Sequence, residues 1–312
     1  MGREVLDRLA APLMAGIYVG DPARLSIQAT FPQLVALERA HGSLIRGLRR
    51  SAAAGEAGGG APAAFVSWRA AWASSRTRAG RRPRAARADR RDGRSDRARR
   101  GAHAAYAVRL TDGTTYEADA VVLAAPGPAA ARLLSGVAPT AARIASGVWQ
   151  LSSATVSLGY RREAVAHPLD GLGVIVPRDQ GVRWAACSWS SSKWDDRAPA
   201  GHVLVRFFYG GEGRAQDAGQ DEAALVRWAR EDAGAILGAR GEPVIARAFR
   251  WIDANPQYDV GHAARAAEAQ AACPAGLVLA GATWRGIGLP DCARQGLEAA
   301  MAVMGGGDRD PA

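Results

Sequence analysis

The arrangement with the clearest chemical use lies near the C-terminus. GLVLAG, residues 276–281, reads as a short buried strand, TWRGIGLPD, 283–291, as a glycine- and proline-bearing loop, and CARQGLEAAMAVM, 292–304, as a helix. This order brings backbone N–H groups and the positive end of a helix dipole to one spot. Such a spot suits an anion, a phosphate among them, or the electron-rich edge of a ring. The same glycines can instead simply turn the chain, and the pattern alone leaves both readings open. Asp291 is expected to cap the N-terminus of the final helix rather than touch a ligand.

Little else in the chain has the spacing of a reactive centre. The five histidines are scattered and are assigned no role, and no Ser/His/Asp or paired-carboxylate constellation is evident. Cys187, Cys273 and Cys292 are far apart with no CxxC grouping, so neither a metal centre nor a disulfide framework is expected. A reduced, cytoplasmic setting is the simplest expectation. No run approaches the roughly 20 apolar residues of a membrane-spanning helix, and the start MGREVLDRLAAPLM lacks the basic-then-apolar order of a signal peptide. The chain is expected to be soluble, or at most peripheral to the inner membrane.

The charge is misleading. A formal +10 over 312 residues ordinarily points to a polyanionic partner. Here thirteen arginines and three aspartates between Trp68 and Arg100 supply all of it, and the remaining 27 basic and 27 acidic residues balance. Between Ser67 and Ala107 there is also no Leu, Ile, Val, Met or Phe. That leaves too little apolar surface to offset chain entropy, so this stretch is expected to be disordered.

The remaining elements frame the glycine loop. Residues 1–50 read as helical: Val5, Leu6, Leu9 and Leu13 share one face, and a second helix opening near Thr30 and Pro32 carries Leu34, Val35, Leu37, Leu44, Ile45 and Leu48. The apolar face of these helices suits a protein core or a lipid surface. SAAAGEAGGGAPAA, 51–64, is a linker by composition, and with the Arg-rich stretch it extends to 105. From Tyr106 a hairpin turning at Asp112-Gly113 leads into DAVVLAA, 119–125, expected as a fully buried strand, and then a helix. Strand candidates follow at 154–160, 171–177, 182–189 and 202–210, then an amphipathic helix carrying Ala224, Leu225, Trp228 and Ala229, then the strand PVIARAFRW. The four consecutive strands suggest a mixed or antiparallel sheet, and the whole an α/β or α+β fold.

Several blocks carry a family resemblance. LVLAGATWRGIGLPDCARQGLEAA resembles the C-terminal flavin motif of the FAD-containing protoporphyrinogen oxidases and coproporphyrinogen III oxidases, which are amine-oxidase-like flavoproteins. PLMAGIYVGDPARLSIQATFPQLVALERAHGSLIRGL resembles their helical segment, and WIDANPQYDVGH, HPLDGLGVIVP and ACSWSSSKW resemble further blocks in the family's order. The resemblance implies an FAD-linked amine-oxidase-like fold with a helical cap segment that contacts substrate or membrane (1–50), part of an FAD-binding domain (106–150), a mixed substrate-domain sheet and helix (151–250), a C-terminal FAD-binding segment (251–304) and a tail (305–312). It implies oxidation of a porphyrinogen to the porphyrin in haem biosynthesis, with hydride passing to FAD and O2 as final acceptor. Peripheral membrane contact and a homodimer belong to the same expectation, and nucleic acid does not. Trp251, Gly281, Ile287, Gly288 and Leu289 would lie against the FAD, and Leu172 and Ile175 would line the porphyrinogen cavity. On the residues alone Trp251 is equally explained as core, and for Leu172 and Ile175 a core place is the commoner case.

Two departures qualify that picture. The family's GxGxxG fingerprint, which seats the FAD pyrophosphate on a helix N-terminus, is absent, and Met1 falls inside what would be the helical segment. The expectation is a truncated copy lacking the N-terminal dinucleotide-binding part, with a non-catalytic fragment as the alternative. The second departure is the Arg-rich stretch. Trp has one codon, so WRAAWA fixes enough bases to read the neighbouring frame, which gives Leu/Met/Val, Ala, two positions open to small residues, Leu/Met/Val and Gly. The family pattern FVSLxGGMGxL fits that frame, and the chain reads FVS at 65–67 immediately before it. A frameshift near Ser67 and its compensation near Ala104 account for the composition. The competing reading is a basic nucleic-acid-binding arm.

Overall fold

A computed structural model describes residues 3–56, 85–90 and 106–304. Helical turns Arg3–Val5 and Leu6–Ala10 run into α1 (Ala11–Tyr18), followed by α2 (Pro32–His41) and α3 (Leu44–Glu56). Next come β1 (Ala85–Arg90), β2 (Tyr106–Leu110), β3 (Thr115–Ala118), β4 (Val121–Leu123), α4 (Gly127–Leu134) and α5 (Pro139–Gly147). The chain continues through β5 (Gln150–Arg161), β6 (Gly173–Ile175), β7 (Trp184–Trp189), β8 (His202–Gly210), α6 (Glu222–Leu237) and β9 (Ile245–Pro256). It closes with α7 (His262–Ala271), β10 (Leu277–Leu279) and α8 (Leu289–Met304).

Two compact units share these elements: one takes 3–24, 55–56 and 151–255 of the described residues, the other 25–54, 85–90, 106–150 and 256–304. The division passes between Arg24 and Leu25, through the helical segment 1–50.

The first unit is built on a five-stranded sheet in the order β6-β7-β8-β5-β9. Of the mixed and antiparallel arrangements open to the sequence, the antiparallel one forms for β6–β7, β7–β8 and β5–β8. β9 runs against β5 in the same sense, since Val244 N–H donates to Gly159 C=O while Asn255 Nδ2 donates to Leu151 C=O. Strand alternation sends Val156, Leu158, Tyr160, Val205, Phe207 and Tyr209 to one side, where they meet Leu225, Ala229, Ala233 and Leu237 of α6. Burying each of the larger side chains contributes about 1.5–3 kcal/mol. The bounds of α6 follow from local chemistry: Asp221 Oδ1 accepts from Ala224 N–H at 2.7 Å, and Gly238 ends the helix at φ +59°.

In the second unit the expected hairpin forms, with β2 antiparallel to β3 and Gly113 at φ +89°. Asp112 Oδ1 accepts from Thr114 N–H at 2.9 Å, which holds the turn. Contrary to the expected disorder, residues 85–90 of the Arg-rich stretch form β1, whose backbone pairs antiparallel with β2. Backbone ladder bonds need no apolar side chains, so poor composition does not forbid that pairing. The rest of the stretch, 67–84 and 91–105, lies outside the described residues, as do 57–64 of the linker and the tail 305–312. Residues 51–56 continue α3 and are not linker; their Ala-rich sequence has high helix propensity.

β4 and β10 pair in parallel, Leu277 opposite Val121 and Leu279 opposite Leu123. α4, α5 and α7 cover one side of them, forming a core with Tyr106, Ala130, Leu134, Ile144, Leu277 and Leu279. β4 is not the fully buried strand expected, because Val122 is 40% exposed. Among the described residues β4 and β10 pair only with each other, so the side chain that alternates away from the core stays open.

Candidate functional site

The glycine loop is a rigid connection between β10 and α8, held from its inner side. Gly281 N–H donates to Gln295 Oε1 at 3.2 Å, and Gln295 Nε2 donates to Arg285 C=O, so one fully buried side chain of α8 ties the loop at two points of its first half. Thr283 Oγ1 donates to Ala125 C=O at 3.2 Å, and Tyr258 OH donates to Ala282 C=O. His262 stacks on Tyr258 with ring centroids 4.1 Å apart, and its Nε2 donates to Trp284 C=O at 3.0 Å. Burial pulls the His262 pKa below the ordinary histidine value, the Trp284 bond opposing, so burial favours the neutral ring.

The loop's outer side is shaped by glycine. Gly281 sits at φ +94° and Gly286 at φ +78°. A Cβ at Gly286 would fall 2.8 Å from the side chain of Asp291, and one at Gly288 would fall 3.0 Å from Asp291 Oδ2. Asp291 is therefore not the N-cap: α8 begins at Leu289, and Asp291 stands in its first turn, filling the space those glycines leave and pairing with Arg294 at 3.2 Å. Pro290 starts the helix one turn earlier than composition suggested, because its fixed φ is already helical. In the first turn of α8 Pro290 has no N–H and Cys292 N–H donates to Gly288 C=O at 2.9 Å, which leaves the Leu289 and Asp291 amides without an intrahelical acceptor. The indole Nε1 of Trp284 is also buried and without a hydrogen-bond partner among the described residues.

Gly281, Ile287, Gly288 and Leu289 are thus brought together in the second unit, with Leu289 60% exposed. Trp251, Leu172 and Ile175 belong to the first unit. None of these three is core: Trp251, Leu172 and Ile175 are 52%, 58% and 41% exposed.

Ile175 and Trp251 belong to the side of the five-stranded sheet opposite α6. Register lines up Ile175, Ala186, Phe208 and Thr155 across four strands. The next row, two residues along, is Gly173, Ser188, Arg206 and Ser157. On β9, Ala246 and Ala248 pack into the core, so Ile245, Arg247, Phe249 and Trp251 alternate to the open side. α1 borders this face, and Pro12, Ala15 and Gly16 make a cleft with Ser153, Ala186 and Phe208. Arg206 Nε donates to Ser157 Oγ at 3.2 Å. Burial and the neighbouring Arg197 guanidinium lower the Arg206 pKa from its ordinary value.

Sequence reasoning missed Gln295, Tyr258 and His262 because each holds the loop from outside it, and Thr283 because its acceptor, Ala125, lies far away along the chain. It missed Arg206 and Arg247 although strand alternation places both on the open face. Among the described residues no group of three or more His, Cys, Asp or Glu could hold a metal ion, and no helix is long and apolar enough to cross a membrane.

A family model described as "Flavin containing amine oxidoreductase" matches residues 1–304. The chain is 30% identical over 308 residues to "Coproporphyrinogen III oxidase" of Bacillus subtilis (strain 168), covering 97% of this chain and 65% of the relative. It is 31% identical over 304 residues to "Coproporphyrinogen III oxidase" of Mycobacterium bovis, covering 97% of this chain and 64% of that one. A crystal structure of a "Putative protoporphyrinogen oxidase" from Exiguobacterium sp. 255-15 superposes with a TM-score of 0.76 at 28% identity, covering 97% of this chain and 64% of that chain. The chain therefore spans just under two thirds of the length of these relatives.

Proposed function

The chain belongs to the flavin-containing amine oxidoreductase family, and from that premise we propose that it serves the oxygen-dependent oxidation of a porphyrinogen to the porphyrin, with FAD as cofactor and coproporphyrinogen III as the first substrate to test. The observation that carries the reading is the pinned glycine loop between β10 and α8. Its open backbone, positive-φ glycines and first-turn amides form a preorganised edge for an electron-rich ring, which fits one side of a flavin. The groups that would hold it are Gly281, Ile287, Gly288 and Leu289. When bound, the flavin supplies a two-electron acceptor that passes its electrons to dioxygen.

The protein's own contribution is placement and exclusion of water. Gln295, His262, Tyr258 and Thr283 fix the loop before any ligand arrives, so little conformational entropy remains to be lost on binding. Leu172, Ile175, Ala186 and Phe208 offer an apolar surface for a tetrapyrrole ring, and no residue is asked to act as nucleophile. Leu6, Leu13 and Ile17, all about half exposed, support a peripheral membrane contact in the same reading.

Purified chain mixed with FAD and desalted should retain the two flavin absorption bands. Supplied aerobically with coproporphyrinogen III, it should raise porphyrin fluorescence faster than autoxidation does. A colourless protein that leaves the autoxidation rate unchanged would remove this reading.

A further inference from the structure

The open side of the first unit's sheet has two characters laid side by side. One row is apolar: Ile175, Ala186, Phe208 and the Thr155 methyl, with Phe249 on β9 beyond them. The adjoining row is basic. Arg206 of β8 points to the same side as Phe208, two residues away on the same strand, which is about 7 Å. Arg247 of β9 stands in the same relation to Phe249. The order β8-β5-β9 and the Val244–Gly159 tie put the two arginines on either side of Ser157, two strand spacings or about 10 Å apart.

Neither cation has an acid partner, and Arg247 Nη1 donates only to the neighbouring Ala246 C=O at 3.2 Å. No ion pair among the described residues involves Arg206 or Arg247. Ser157 only orients Arg206 through its Nε, and Arg197 adds repulsion instead of compensation. Some other described arginines of this unit do have acids, Arg24 with Glu212, Arg183 with Glu231 and Arg230 with Glu242, whereas these two, side by side on one face, do not. Guanidinium groups left without carboxylates beside an apolar cleft complement a ligand that is flat and apolar at its centre and anionic at its edge.

We propose that Arg206 and Arg247 form a carboxylate-binding pair that anchors the propionate groups of a tetrapyrrole laid over the apolar row, and that this pair favours a tetracarboxylate over a dicarboxylate. The proposal rests on the porphyrinogen reading above and adds to it the residues that select the substrate. Coproporphyrinogen III carries four propionates and protoporphyrinogen IX two, so the pair bears directly on which of them is taken.

The test uses the full chain and three stable probes: coproporphyrin III, protoporphyrin IX and the neutral tetramethyl ester of coproporphyrin III, with affinity read from quenching of tryptophan fluorescence. Wild type should bind the tetracarboxylate more tightly than its ester, and added salt should narrow the difference. R206Q and R247Q should each weaken coproporphyrin III by about tenfold, the size of a charge-assisted hydrogen bond, and leave the ester unchanged. R206K should recover part of the loss, since it keeps charge but not the planar fork. Equal weakening of acid and ester would mark a structural effect and overturn the pair, as would unchanged binding of coproporphyrin III in both variants. If wild type binds acid and ester equally well, the porphyrinogen reading stands and the pair falls. If it binds no tetrapyrrole at all, both fall together.

Discussion

Replacing Gln295 by Leu tests whether the glycine loop is held by one side chain. Leu is close to Gln in volume, so the substitution removes hydrogen bonds and leaves little cavity. Two partners lose their bonds: Gly281 N–H, now 3.2 Å from Gln295 Oε1, and Arg285 C=O, which accepts from Gln295 Nε2. Gln295 is 0% exposed, so water cannot replace it without opening the loop. Each stranded group costs about 1–3 kcal/mol, and the apolar replacement returns part of that through burial, which leaves a net loss of about 2–4 kcal/mol. At about 2–4 °C per kcal/mol the melting midpoint falls by about 5–15 °C. Urea titration of wild type and Q295L, followed by tryptophan fluorescence and far-UV circular dichroism, gives the loss directly. Q295E separates the two bonds, keeping the acceptor for Gly281 while placing a negative charge against the Arg285 carbonyl, and should be worse than Q295L. A loss below about 1 kcal/mol in Q295L would refute the reasoning, because buried polar groups that cost so little cannot be what positions the loop.

Two further outcomes follow from the same structure and a third from the codons. His262 has its pKa lowered by burial, so the unfolded chain binds more protons than the folded one; its stabilising contribution is complete above the unfolded value near 6.5 and is lost as pH falls through the folded value. The urea midpoint should therefore drop between pH 7 and pH 5, and by less in H262Q. G286A should cost about 2 kcal/mol or more in the same titration, from a left-handed backbone and a Cβ 2.8 Å from Asp291, and should be less than additive with D291G, which removes the obstructing atoms. The coding argument predicts that resequencing the gene around the codons of Ser67 and Ala104 uncovers a shift of frame with LxGGMG in the restored reading; an intact frame with no such motif would remove it.

The elements with strong periodicity were legible in the chain. The α6 helix, the hairpin at Asp112-Gly113, the run of strands from 154 to 210 and the strand–loop–helix at the C-terminus all follow from local pattern. Misreadings arose where local chemistry competes. Asp291 is an ordinary N-cap residue, but Pro290 and Leu289 start the helix before it, and the side chain fills glycine space instead. The apolar run at 119–125 implied full burial, yet one alternate residue, Val122, faces outward. The loop's glycines could be found by inspection, whereas its supports could not. Gln295 meets Gly281 across fourteen positions and Thr283 meets Ala125 across 158, and nothing in the residue types announces either pairing.

Residues 151–255 are one continuous stretch of the first unit whose two ends meet. Asn255 Nδ2 bonds Leu151 C=O at 2.9 Å, and Ser152 Oγ both accepts from Asp253 N–H at 2.9 Å and donates to its carboxylate at 3.2 Å. The first strand of the sheet is thus completed by the last, across a closed loop of about a hundred residues. In folding terms, β5 emerges from the ribosome long before its β9 partner exists, and it carries an unpaired edge for the whole interval. Closure of such a loop is a late and slow event, governed by contact order and not by the strength of any one pair. Yield during expression should accordingly depend on elongation rate and chaperone supply more than on the final stability of the sheet.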